Sequence, residues 1–129
     1  MAHLLLEYSS NLADVTDIDR LVRDVHQAAL DTGVVALDAL RTRAVARPHY
    51  AIADLDESNM FLAAVARLGA GRSESEKHVL LSGLLSSIDR HLGEAQRTVM
   101  ISVEYQEIDP TFRINKNNLR AVIAEREGE

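Results

Sequence analysis

The chain of 129 residues contains no cysteine and no tryptophan, only two prolines, and five aromatic rings, two Phe and three Tyr. Without cysteine there are no disulfides, no thiolate metal ligands and no cysteine nucleophile. With so few rings, the core has to be assembled from Leu, Val, Ile and Ala. Positive charge is short as well: 14 Lys and Arg stand against 20 Asp and Glu, a net charge of −6. That is the wrong sign for displacing counterions from phosphates, so no nucleic-acid partner is expected. Long hydrophobic runs are also missing. Leu4-Leu5-Leu6 lacks a basic segment before it and a cleavage site after it, and no apolar stretch approaches a membrane span. A cytoplasmic protein without membrane attachment is the expectation.

What is present fits one folded domain over residues 1–129, with 47% apolar and 26% charged residues. Residues 4–8 are apolar at both parities, the pattern of a central strand covered on both faces. Thr16, three residues before Asp19, reads as a weak capping box for a helix that carries Ile18, Leu21, Val22, Val25, Ala28 and Ala29 at helical spacing. Gly33 stands where a C-terminal cap belongs. A second strand is expected from about Leu37 to Ala46, ended by Arg47-Pro48. Tyr50 to Ala53 suggests a short edge strand and 54–59 a turn.

From Met60 the order repeats. Met60–Leu68 reads as a nearly continuous apolar strand, Gly69-Ala70-Gly71-Arg72 as a turn, and Ser73 with Glu76 as a full capping box. Val79, Leu81, Leu84, Leu85, Ile88 and Leu92 are expected to form the apolar face of a second helix, closed by Gly93. Val99 to Glu107 alternates as a fourth strand. Val22, Val25 and Ala29 fall at one offset from Leu81, Leu84 and Ile88, which marks an internal duplication with repeats at about 3–46 and 60–108. Two β-α-β units then give an α+β fold, a four-stranded mixed sheet with two helices on one face. The other face lacks a cover, which predicts an oligomer. The tail, 109–129, reads as a short helix after Asn117-Asn118 and a frayed acidic end.

Several residues carry candidate chemistry. Arg41 and Arg43, two apart on one strand, emerge on the same face ~7 Å apart. Their planar forks suit a carboxylate, held either on a ligand or on the acid of a neighbouring subunit. Arg72 enters the second helix, where free amides also favour an anion. The five histidines have no metal-ligand spacing, so no metal is expected. No serine stands in a nucleophile elbow. Glu7 is read as a salt-bridge partner. The first strand begins at the terminus itself, so removal of Met1 would place the α-amine of Ala2 at its mouth. With an ordinary pKa of ~7.7–8, that amine is a usable proton acceptor.

The duplicated units, His3 after the terminal pair, Leu40-Arg41-Thr42-Arg43, Gly69-Ala70-Gly71-Arg72-Ser73, Pro110-Thr111 and Asn117-Asn118 together resemble the 5-carboxymethyl-2-hydroxymuconate isomerase family of the tautomerase superfamily. The resemblance runs from His3 to about Val122. It implies a homotrimer with its sheets facing inward and a cofactor-independent isomerase of aromatic catabolism acting on a small dicarboxylate. It also implies an amino-terminal proline as the base, with arginines holding carboxylates. By this resemblance Arg41 matches the strand arginine, Arg43, Arg72 and His3 are supporting substrate-binding candidates, and Ala2 stands at the catalytic position. Ala2 in place of proline is the departure. It leaves two readings open: a tautomerase working through a primary amine, or a catalytically silent binding or assembly protein.

Overall fold

The structure is a computed structural model and describes residues 1–128. Strand β1 (Ala2–Ser9) leads through a 3-10 turn into helix α1 (Ile18–Asp31) and strand β2 (Leu40–Arg47). Strand β3 (Met60–Gly69), helix α2 (Glu74–Leu92) and strand β4 (Val99–Ile108) repeat that order, and helix α3 (Leu119–Glu127) ends it. The sheet order is β2-β1-β3-β4. Strands are parallel within each unit, and β1 runs antiparallel to β3, where the units meet. The mixed sheet and the central position of β1 are therefore as expected.

Alternation along the strands decides which face is core. Ala2, Leu4 and Leu6 of β1 and Met60, Leu62, Ala64 and Ala66 of β3 are buried beneath the helices. Their neighbours His3, Leu5, Glu7, Phe61 and Val65 stay partly exposed on the opposite, open face. Leu21, Val25 and Ala29 of α1 and Leu80, Leu84 and Ile88 of α2 are fully buried. These three pairs share one offset, and Val22 and Leu81 flank them, partly buried against the same core rather than at its centre. Val79 and Leu85 are corrected: both face solvent, at 48% and 42% exposure.

The expected caps hold in part. Ser73 and Glu76 form the full capping box, and Gly33 (φ 74°) and Gly93 (φ 55°) take the left-handed backbone that closes helices. At α1, however, the N-cap is Asp17, whose side chain accepts from Arg20 N–H. Thr16 Oγ1 is instead engaged with His91 Nε2 at 2.7 Å. Residues 50–53 are not a strand. Ala53 and Leu55 have positive φ, and Asn59 Nδ2 donates to Ile52 O and Asp54 Oδ1, so side chains shape this loop. Strand β2 starts at Leu40 because Ala36–Ala39 closes a turn. The expected frayed acidic end is helical through Glu127, and Glu129 lies outside the described residues. Among the described residues no helix is long and apolar enough to cross a membrane.

Candidate functional site

Because β1 begins at Ala2, the start of the chain is built into the middle of the sheet. The register sets Ala2 beside Leu40, where β2 begins, and beside Leu68, where β3 ends. Ala2 is 1% exposed, and its N–H donates to Ala39 O at 3.1 Å. Everything attached to the start of β2 or the end of β3 is thereby brought to the terminus.

Arg41 follows from β2. Its Nη1 donates to Ala39 O (2.9 Å) and to Ala2 O (3.4 Å), which folds the guanidinium back over the start of β1. Arg72 follows from the turn after β3 and is anchored by Nε to Val34 O (3.1 Å) and Nη1 to Gly69 O (3.2 Å). Arg113, in the chain after β4, lies against Gly69 so closely that a Cβ there would collide with its Nη1. Arg120 of α3 pairs with Asp38 at 2.9 Å, while Asn117 Nδ2 donates to Asp38 O. The tail thus folds over the same end of the sheet, where Met1, Asp38, Arg41, Asn117 and Arg120 line a cleft of about 580 Å³.

The electrostatic consequence falls on the terminal amine. Partial burial, then the guanidinium groups of Arg113, Arg72, Arg41 and Arg120, hold the Met1 α-amine below its ordinary value. His3 is likewise held low, first by partial burial and then by Arg41, Arg43 and Arg67. Its ring occupies the open face between Arg41 and Arg67, and Arg43 Nη1 donates to His3 Nδ1 at 3.2 Å.

The structure therefore gathers Ala2, Arg41 and Arg72 at the chain start. Of the five candidates only Arg41 lines the cleft; His3 stands beside Arg41 on the open face and Arg43 two residues farther along it. Arg41 and Arg43 share a face but are turned to different partners. Glu7 is a salt-bridge partner, accepting from Arg47 at 2.7 Å. Arg113 and Arg120 escaped the sequence reading, since neither sits in a periodic segment near its partner. Among the described residues no group of three His, Asp or Glu is placed to hold a metal. A larger cavity, about 630 Å³, lies by the helices around Thr16, Asp24 and His91. There Thr16, Asp24 and His91 are bonded to one another, whereas the cleft by Met1 offers cations in excess of acids.

The comparisons fit this geometry. The family model for 5-carboxymethyl-2-hydroxymuconate isomerase matches residues 2–123. The chain belongs to that family. Escherichia coli 5-carboxymethyl-2-hydroxymuconate Delta-isomerase is 26% identical over 124 residues, spanning 95% of this chain and 98% of that protein. The crystal structure of a 5-carboxymethyl-2-hydroxymuconate isomerase from Deinococcus radiodurans R1 is 31% identical, with a TM-score of 0.85 over 95% of this chain and 93% of that one. A second crystal structure, of 5-carboxymethyl-2-hydroxymuconate delta-isomerase, gives a TM-score of 0.86 at 25% identity over the same shares of the two chains. Membership places the chain among isomerases of the tautomerase superfamily.

Proposed function

We propose that this protein is a keto-enol tautomerase of the 5-carboxymethyl-2-hydroxymuconate isomerase type, acting on an unsaturated dicarboxylate without a cofactor. The observation that carries the reading is the convergence of Arg41, Arg72, Arg113 and Arg120 on the chain start, where partial burial first and then these guanidinium groups hold the terminal amine below its ordinary pKa. Once Met1 is removed, the Ala2 amine lies among the same cations. In this reading Arg41 holds a substrate carboxylate, supported by Arg43, Arg72 and His3. The amine accepts a proton from the enol oxygen or one carbon and returns it at another carbon, which moves the double bond with no net loss of atoms. The guanidinium groups stabilise the dienolate that forms between the two transfers.

A homotrimer belongs to the same proposal, because the open face, with Leu5, Val65 and a 60% exposed Met100, needs a cover.

Ketonisation of 2-hydroxymuconate-type dienols, followed by ultraviolet absorbance, tests the reading on the protein starting at Ala2 and on Ala2→Pro. Turnover by the first and faster turnover by the second are expected; no turnover by either would overturn it. A second reading, a silent binding or assembly protein, is favoured by Ala2 standing at the position of the family's catalytic proline, since behind a retained Met1 its nitrogen is an amide without basicity. Mass spectrometry of the native terminus separates the two: retained Met1 supports the silent protein.

A further inference from the structure

Arg113 differs from the other arginines at the chain start. Arg41 and Arg72 spend donors on backbone carbonyls, and Arg120 is paired with Asp38. Arg113 Nη1 is buried and, among the described residues, meets no acceptor. A desolvated guanidinium N–H without an acceptor is costly, and native structures keep such groups where something else supplies the acceptor. The seat is also specific. Gly69 lacks the Cβ that would displace the Arg113 fork, and Gly69 O simultaneously accepts from Arg72, so two guanidinium groups are fixed on one residue. The surrounding charge is cationic, and a carboxylate supplies both the missing acceptor and the missing negative charge.

We infer that Arg113, seated against Gly69, is a substrate-binding residue that receives a carboxylate of the ligand other than the one held by Arg41. The inference rests on the proposed function for its substrate class, but binding alone tests it. A ligand with two carboxylates spans Arg41 and Arg113, whereas one with a single carboxylate engages one of them. Selectivity for the longer-reaching dianion therefore resides in Arg113.

The experiment is calorimetric titration of the protein beginning at Ala2 with two unreactive probes, glutarate and butyrate. The wild type is expected to bind glutarate at least about tenfold more tightly than butyrate, the scale of one charge-assisted contact. Arg113→Ala removes that preference, bringing glutarate to the affinity of butyrate in the same variant. Gly69→Ala supplies a control that keeps every charge. Its backbone does not require glycine, and the three atoms nearest the added Cβ all belong to the end of the flexible Arg113 side chain, so the variant is expected to fold and to lose the preference by displacement.

Equal binding of the two probes by the wild type overturns the inference, as does a preference that survives in Arg113→Ala. So does an Arg113→Ala variant that changes only the oligomeric mass, which would assign the guanidinium to a neighbouring copy. Failure of the proposed function reads differently: glutarate selectivity dependent on Arg113 persists while the dienol assay shows no turnover.

Discussion

The His91 ring and the Asp24 carboxylate lie 2.9 Å apart, Nδ1 to Oδ2, a contact that ties the last turn of α2 to the middle of α1. The other ring nitrogen faces Thr16 Oγ1 at 2.7 Å, and the His91 side chain is only 5% exposed. Both nitrogens of a buried imidazole are thus satisfied, which makes the ring a cross-brace between helices. Replacing it with Leu strands the Thr16 hydroxyl and severs the link to Asp24. The expected loss is about 1–3 kcal/mol, against about 1 kcal/mol for Thr16→Val. Urea unfolding of both variants and the double mutant should show a non-additive pair. Dienol turnover should not change, because the cavity around His91 shares no residue with the cleft by Met1. Additive losses would show that the contact does not stabilise the fold.

His3 predicts a pH dependence of stability. Partial burial and the nearby Arg41, Arg43 and Arg67 lower its pKa from 6.5, so the folded state binds the His3 proton less readily than the unfolded chain. Stability therefore falls as pH drops below about 6.5, until the folded pKa is also passed. His3→Asn should flatten the unfolding midpoint across that window while leaving the more acidic limb. An unchanged slope in the variant would assign the dependence to another group.

These two relationships differ in how far the sequence revealed them. Strands β1 and β3, the capped α2 and the glycine stops follow from local rules of periodicity and backbone freedom, and these act over a few residues. Asp17 rather than Thr16 caps α1 because Thr16 is recruited by His91, which is distant in sequence but adjacent across the helix pair. Likewise the loop at 50–59 is held by Asn59 reaching back to Ile52 and Asp54, where composition alone suggested an edge strand. At the site, Arg41 and Arg72 were legible because each adjoins a strand end whose place the pattern gave. Arg113 was not, since its seat exists only once the tail returns to Gly69.

The capping box on α2 offers a local test of the same logic. Ser73 Oγ accepts from Glu76 N–H at 3.1 Å, and Glu76 Oε1 accepts from Ser73 N–H at 3.0 Å. Ser73→Ala is expected to cost about 1 kcal/mol, measured by thermal or urea unfolding. The backbone and hydroxyl of Ser73 lower the Glu76 pKa from 4.5, so this carboxylate favours folding above that value and ceases to as pH falls through its folded pKa. The Ser73→Ala deficit should accordingly shrink in acid. A deficit constant down to pH 3 would disconnect the cap from Glu76.

The open face predicts assembly. Leu5 and Val65 sit opposite each other at its centre, and Met100 is exposed toward its edge. Sedimentation equilibrium should give three copies of the 14.2 kDa chain. Val65→Lys, which sets a charge in the middle of that face, should give monomers that keep the helical circular dichroism signal. A wild-type monomer would remove the trimer from the proposal.

The terminal amine supplies the most direct reading of mechanism. A general base works only when unprotonated, so turnover should rise with pH through the amine pKa and then level. Partial burial, Arg113, Arg72, Arg41 and Arg120 lower the pKa of the amine at Met1, and an amine freed one residue on lies beside the same groups. The inflection should therefore fall below the ordinary α-amine value. Removing a cation weakens the shift: Arg41→Ala moves the inflection to higher pH, which lowers the unprotonated fraction and hence the rate at neutral pH. Each unit of upward shift reduces that fraction about tenfold well below the pKa. The same substitution removes a carboxylate contact and raises KM, so the displacement of the kcat profile, taken at saturating substrate, isolates the electrostatic part. A kcat profile that does not move between wild type and Arg41→Ala would mean that the titrating base is not the terminal nitrogen.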